Sequence, residues 1–268
     1  MTKYLFLIPL LFLVCKINAQ VNCEAFKYNG DTLQYKACKL VENIDEKHYQ
    51  FSREFQEAYD KALEICPYFA YAYREKSVAY TKSGDFITWK TLMDKAVKYD
   101  EKSNLGYRGW IKYQFFKDYK GAIEDFEKLE SLTDNIGYSQ NGDYHLTFAK
   151  AFCYSALGDK KKAIAIMEKQ ISESNYNVGF YDYYQLGVTY FQIKDFKNAR
   201  LAFEKQLKVR ELAENYFYLA KLSKLEALPQ SYESNKNLAI EAYKNGNFMK
   251  DGYTHHFNKV YSESIESL

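Results

Sequence analysis

The stretch "QIKDFKNARLAFEKQ" (Gln192–Gln206) decides the fold. Asp195 stands at the junction of two helical patterns, with Tyr190 five residues before it, Ala199 four after and Phe203 four further on. The arrangement returns in "TKSGDFITWKTLMDKA" (Thr81–Ala96), "FKDYKGAIEDFEKL" (Phe116–Leu129) and "ALGDKKKAIAIMEKQ" (Ala156–Gln170). Aligned on Asp85, Asp118, Asp159 and Asp195, the preceding tyrosines are Tyr80, Tyr113, Tyr154 and Tyr190. The positions four beyond are Trp89, Ala122, Ala163 and Ala199, and the next four are Met93, Phe126, Met167 and Phe203. The junctions lie 33, 41 and 36 residues apart. A period of about 34 residues is that of a helix–turn–helix solenoid.

Each repeated feature has a physical role. The tyrosine lies on the first helix of a pair and is expected to pack on the second helix of the same pair. Gly84 and Gly158 are placed to end the first helix in a left-handed conformation. Asp85, Asp159 and Asp195 are placed to cap the next helix, where a carboxylate accepts unpaired N–H groups. Ala122, Ala163 and Ala199 let two helices approach closely, and the large residue one turn on fills the space beside that contact. Trp89 departs from the small-residue rule, so a wider crossing or a re-aimed ring is expected there.

The pattern resembles the tetratricopeptide repeat family. Tyr73, Ser77, Tyr80, Gly84, Asp85, Phe86 and Ala96 carry the resemblance first. It recurs at Trp110, Tyr113, Asp118, Tyr119, Ala122 and Phe126, then at Ala151, Tyr154, Gly158, Asp159 and Ala163. The last clear copy has Tyr183, Leu186, Gly187, Tyr190, Asp195, Phe196, Ala199 and Phe203. Pro67 closes an earlier helix, "SREFQEAYDKALEIC", whose partner falls near "LQYKACKLVENI". A last pair is expected from "AENYFYLAKL" and "NKNLAIEAYKNG", with Ala239 and Tyr243 repeating the small-then-large spacing. The resemblance implies an all-α, right-handed solenoid of five to six helix pairs over residues 33–250, closed by a capping helix or strap in 251–268. Residues 132–143 and 226–233 read as surface loops, the second broken by Pro229.

Composition agrees. Three prolines and 12 glycines in 268 residues are few for a β-rich chain. Residues 1–19 show a positive start at Lys3, an apolar run from Tyr4 to Cys15 and Ala19 before Gln20, the pattern of a secretory signal peptide. The run is shorter than the roughly 20 residues a membrane-spanning helix needs. Lys3 and Lys16 are the only charges in that leader, so the formal +2 falls to neutral on its removal. A neutral chain has no general attraction for nucleic acid. Export permits disulfides. Cys23 and Cys38 flank the turn-like Asn29–Asp31 across the N-terminal segment 20–32, and either bridge or pack as small buried hydrophobes, as Cys66 and Cys153 do.

No catalytic motif is present: neither HExxH, nor a phosphate-cradling glycine loop, nor GxSxG. The four histidines make no metal-ligand pattern, and His255 and His256 are adjacent and so face apart on a helix. No cofactor and no enzyme activity are expected. The better candidate is the surface formed by the first helix of each pair. Its expected partner-binding residues are Tyr71, Arg74, Tyr107, Arg108, Gln114, His145, Phe148, Phe152, Tyr181, Tyr184 and Phe217. Tyr and Arg suit binding hot spots because they pair large contact area with hydrogen-bonding tips. The family resemblance also implies, for some members, a Lys/Asn/Arg clamp for a chain terminus. Val78 and Ile111 stand where its asparagines belong, so no such clamp is expected. The sequence thus reads as an exported scaffold of the periplasm or cell envelope, or a secreted one, binding an extended peptide or protein segment. A glycan-binding module using the same aromatic face is the alternative.

Overall fold

The computed structural model describes residues 21–250, 252 and 254–268; the leader expected at 1–19 lies outside them. Among the described residues the chain is helical throughout, with one isolated antiparallel bridge between Tyr138 and His145. The described residues fall into two compact units, divided between Leu92 and Met93.

In the first unit, α1 (Cys23–Tyr28), α2 (Thr32–Val41) and α3 (Ile44–Lys47) lead into α4 (Arg53–Ile65) and α5 (Ala70–Ser83). Asp31 caps α2 by accepting from the Gln34 N–H, and Ser52 caps α4 by accepting from that of Phe55. α2 packs on α4, the early pair expected from the sequence, and α4 ends just before Pro67. The core beneath them joins Ala37, Cys38, Val41, Phe55, Tyr59, Ala62 and Phe69. Cys23 and Cys38 form a disulfide that ties α1 to α2, whereas Cys66 and Cys153 are free and buried. The division between the units falls inside α6 (Phe86–Tyr99).

The second unit holds four helix pairs. α7 (Glu101–Ile111) continues as a π-helical stretch, Lys112–Phe116, and pairs with α8 (Tyr119–Glu130). α9 (Leu146–Ala156) pairs with α10 (Lys160–Ser172), α11 (Asp182–Gln192) with α12 (Phe196–Val209), and α13 (Ala213–Leu225) with α14 (Pro229–Lys244). Each pair also meets the next, α8 on α9, α10 on α11 and α12 on α13. A last helix, α15 (Ser262–Glu266), lies against α13 and α14. It caps that end of the stack with the buried side chain of Ile265.

The junctions behave alike. Asp85 accepts from the Thr88 N–H, Asp118 from Gly121, Asp159 from Lys162 and Asp195 from Asn198, all at 3.0–3.2 Å. The residue before each aspartate is left-handed. Gly84 and Gly158 take that conformation freely. Lys117 and Lys194 take it at φ 56° and 65°, which a side chain disfavours by about 1–2 kcal/mol. The turn therefore tolerates some strain wherever the aspartate cap and the flanking helices hold it.

The small-then-large rule is a packing rule. Ala122, Ala163 and Ala199 are fully buried, as are Met93, Phe126, Met167 and Phe203. Phe126 lies against Gly109 of α7 and Phe203 against Gly187 of α11, so close that a Cβ at either glycine would stand 2.6–2.7 Å from the ring. The ring thus fills the space a side chain on the first helix would take.

Two expectations are corrected. The hydroxyls of Tyr154 and Tyr190 reach the second helix of the preceding pair, donating to Glu127 on α8 and Glu168 on α10. Within its own pair, the Tyr154 ring lies beneath the Lys162 ammonium of α10. The tyrosine thus links neighbouring pairs as well as holding one together. Tyr113 differs because the π turn inserts an extra residue. The Asp118 N–H bonds six residues back to the Lys112 carbonyl, where Asp159 and Asp195 reach five back. Tyr113 is carried inward and faces Phe152 of α9. The second correction is Pro229. It opens α14, since a proline at the first helical position lacks only an N–H that would be unpaired anyway. The expected 226–233 loop therefore shrinks to Glu226–Leu228.

Gly187→Ala drives a methyl into the fully buried Phe203 ring and is expected to lower stability by about 1–3 kcal/mol in urea titration. An unchanged midpoint would show that the ring has room to retreat. Reducing Cys23–Cys38, which closes a 15-residue separation, is expected to remove about 3 kcal/mol from the first unit. Thermal unfolding with and without reductant measures it.

Candidate functional site

The first helices of the second unit present buried polar side chains where a purely structural face would be apolar. Gln185 and Thr189 on α11 and Glu214 and Asn215 on α13 are almost wholly shielded from solvent. Gln114 on the π stretch is buried as well. Buried amides and carboxyls need partners, and a segment from the chain's own C-terminus supplies several of them.

After α14 the chain is pinned at Asn247, whose carbonyl accepts from the Ala213 N–H, and at Met249, whose N–H donates to Glu214 at 2.9 Å. Residues 254–260 then form a strap against the first-helix face. Asn141 donates to the Thr254 hydroxyl at 3.1 Å. Gln114 Nε2 donates to the His255 carbonyl at 3.1 Å. The His256 ring stands edge-on to Tyr144 and Tyr181. Phe257 stacks on Phe152 with centroids 5.1 Å apart. Gln185 Nε2 donates to the Phe257 carbonyl and the Tyr184 hydroxyl to that of Asn258, both at 2.6 Å. The Asn258 amide returns a bond to Gln185 Oε1 at 2.8 Å. The chain is pinned again where Val260 and Ile265 are buried and the Leu268 carbonyl accepts from Lys236. The C-terminal tail was expected to cover the last pair; α15 does so, and the strap also reaches back to α7.

Five of the expected site residues sit in or beside this groove, and a sixth, Phe217, lies on α13. Gln114, Phe152 and Tyr184 touch the strap's main chain or its ring, and Tyr181 flanks His256. Phe148 lies in the layer beneath, with Tyr176 and Phe152. Phe217 lies under the Lys221 ammonium. The others have different settings. His145 caps α9: its Nδ1 accepts from the Thr147 N–H, and its Nε2–H donates to Asn135 at 3.0 Å. Burial lowers its pKa to about 4, so the ring is neutral. Arg108 is held by Asp94 and by both oxygens of buried Asp125, which Lys112 also meets. Tyr107 packs on Trp110. Tyr71 and Arg74 belong to the first unit, beside Tyr59 and Glu75. Gln185, Glu214, Tyr144 and the reach of the strap onto the first-helix face have no counterpart among the expected site residues. Polar residues on an otherwise apolar helix face were the available signal.

The loop between α8 and α9 shapes one end of the groove. Ser139 N–H bonds to the Tyr144 carbonyl and Leu146 N–H to that of Gly137, which aims Tyr144 at the strap. A cleft remains there between Gln114, Asn141, Asp143 and His256. Glu130 is bonded to Lys150, while Asp143 lies beside Asn141. Among the described residues no group of three or more His, Cys, Asp or Glu is placed to hold a metal ion. No helix among them is long and apolar enough to cross a membrane.

Stacked hairpins carrying a groove across their first helices define a helical-repeat solenoid. The tetratricopeptide repeat pattern matches residues 144–177 and 183–211, that is α9/α10 and α11/α12 with their flanks. These two segments are tetratricopeptide repeats by their sequence. No curated protein matches the sequence. Among solved structures, it is similar to PilW, a widely conserved type IV pilus biogenesis factor, at 13% identity over 88% of this chain and 98% of that one, with a TM-score of 0.60. It is also similar to PilF of Pseudomonas aeruginosa at 14% identity, covering 82% and 94%, with a TM-score of 0.55. A third is YrrB, a tetratricopeptide-repeat protein with an unusual peptide-binding site, at 16% identity, covering 71% and 94%, with a TM-score of 0.53.

Glu214 gives the groove a measurable signature. Burial raises its pKa to about 7, against the opposing pull of backbone N–H groups, Lys259 and Arg210. A carboxyl whose folded pKa lies above its unfolded value favours folding fully below about pH 4.5 and loses that contribution as pH rises through about 7. Asp182, raised to about 6, acts in the same direction, and His145 in the opposite one. Glu214→Gln removes only the first. Relative to wild type, the variant is expected to gain roughly 2–3 kcal/mol between pH 5 and pH 8. Urea titrations at both values check it, and an equal difference at the two would refute the buried-carboxyl account.

Proposed function

We propose that this protein is an exported scaffold that binds an extended segment of a partner protein or peptide across the first-helix face of its second unit. One observation carries the reading: that face already holds a non-helical segment of the chain's own C-terminus, turned at Phe257–Asn258, and holds it mainly through main-chain carbonyls. Gln114, Tyr184 and Gln185 donate to three carbonyls within four consecutive residues. Such contacts accept many sequences, while the Phe152 ring and the Tyr144–Tyr181 pair select a ring-bearing side chain. Net charge contributes little, since the chain without its leader is neutral.

Two features support export. The leader pattern at 1–19 is one, and the Cys23–Cys38 disulfide, a bond that persists in oxidising compartments, is the other. A fold shared with a pilus biogenesis factor fits the cell envelope as the setting. The groove does work of recognition, with no catalytic constellation assigned to it.

The test selects a displayed library of unstructured peptides on the chain from Gln20, in wild-type form and with Phe257→Ala. Selected peptides are expected to bind in the micromolar range and to lose at least about tenfold in affinity when Gln185→Ala removes the amide that meets the segment at both its ends. Enrichment on neither bait, or indifference to Gln185→Ala, would sink the reading. Binding confined to a glycan array would replace it with the carbohydrate alternative.

A further inference from the structure

We propose that residues 254–259, up to the anchor at Val260, are a displaceable internal ligand, and that the partner segment carries an aromatic residue followed by an asparagine or a similar amide. This inference rests on the reading of the groove as a partner site.

The strap has the marks of a bound peptide more than those of a core element. Positions 254–260 make a single turn at Phe257–Asn258, where Asn258 is left-handed at φ 58°. They lie in no helix. Of the seven, only His256 and Val260 are buried; the others are half-exposed or exposed. The floor beneath is the reverse, with Phe152, Tyr184 and Gln185 fully shielded. A floor that is rigid and polar, under a cover that is partly solvated, describes a site and its occupant.

The anchors lie outside the contact. Asn247 and Met249 hold one end on α13, and α15 holds the other on α13 and α14. The middle can therefore leave without unpacking a helix pair. A segment tethered at both ends keeps an effective concentration in the millimolar range. It would exclude weak ligands and yield to one that matches its own contacts. Those contacts specify the match: a ring on Phe152, an amide bonding Gln185 Oε1, and main-chain carbonyls for Gln114, Gln185 and Tyr184 presented by a turn. The imidazole of His256 between Tyr144 and Tyr181 adds preference for a flat side chain just before the aromatic.

The experiment uses the full chain from Gln20 and a fluorescent peptide of residues 252–262. The Phe257→Ala/Asn258→Ala chain is expected to bind that peptide at least tenfold more tightly than wild type, because its own strap competes less. The same peptide with both substitutions is expected not to bind. Equal binding by the two chains, or none by a cooperatively folded variant, overturns the proposal. Native-state trypsin digestion of wild type tests it without any substitution. Cleavage at Lys259 is expected to outpace cleavage at Lys169 and Lys205, on helices, by at least about a hundredfold, and to accelerate with the peptide present. Cleavage of all three at one rate shows a strap that opens only on global unfolding, which also overturns it. If the strap peptide binds while no foreign peptide does, the partner reading alone falls. If foreign peptides bind wild type as tightly as the variant, this inference alone falls.

Discussion

The stack depends on one contact, the seating of a large apolar side chain of α8, α10 and α12 against the first helix of the pair, one turn beyond a buried alanine. Phe126 on Gly109 and Phe203 on Gly187 show its tightest form. The alanine sets how near the two axes approach, and the ring fills what the approach leaves. Burying a phenylalanine contributes about 1.5–3 kcal/mol, yet only where the opposite surface is hollow enough to receive it. A glycine on the first helix, poor in helix propensity by about 1 kcal/mol, is offset by the ring it admits.

Given that contact, the orientation of everything else follows. The second helices turn the acidic and basic residues of their far sides to solvent, and pairs are joined by tyrosine hydroxyls, Tyr154 to Glu127 and Tyr190 to Glu168. The first helices are gripped from both sides, by their own partners and by the preceding pair. What remains of them is a single face, too densely aromatic to be left to water and too polar, at Gln114, Gln185 and Glu214, to be sealed by aliphatic side chains. Only a segment offering carbonyls and N–H groups along its length satisfies such a floor.

Much of this was legible in the sequence, for a physical reason. Capping and close packing constrain residue type at fixed offsets, so Asp159 and Asp195, Ala163 and Ala199, Met167 and Phe203 announce their roles by spacing. The left-handed turn is legible where glycine fills it, at Gly84 and Gly158, and hidden where Lys117 and Lys194 do. Pro229 was ambiguous because proline both ends and begins helices. The π stretch at Lys112–Phe116 was hidden, since Tyr113 keeps the repeat's offset while the backbone adds a residue. The strap was least legible. Its recognition runs through main-chain carbonyls, which every residue possesses, so no side-chain pattern in 254–260 records it.

The contrast within the C-terminal segment bears on what the groove is for. Where the segment is anchored, its contacts are those of a core: Met249, Val260 and Ile265 are buried apolar side chains. Between the anchors the chemistry changes to amide, imidazole and one stacked ring, with backbone carbonyls as the main acceptors. A plug evolved only to cover an aromatic face would extend the apolar anchoring through its middle, since each buried methylene adds about 0.8 kcal/mol and no polar group then needs a partner. Gln185 is the sharper indicator. It spends both ends of its amide on the strap, at Phe257 and Asn258, and also donates to the Tyr144 hydroxyl. In an apolar seam such a residue is a liability of about 1–3 kcal/mol whenever its partners depart. It is tolerable where departure is always followed by replacement, either by water or by another chain presenting the same groups. A polar floor under a solvated cover is thus what exchange requires, and an apolar plug would have prevented it.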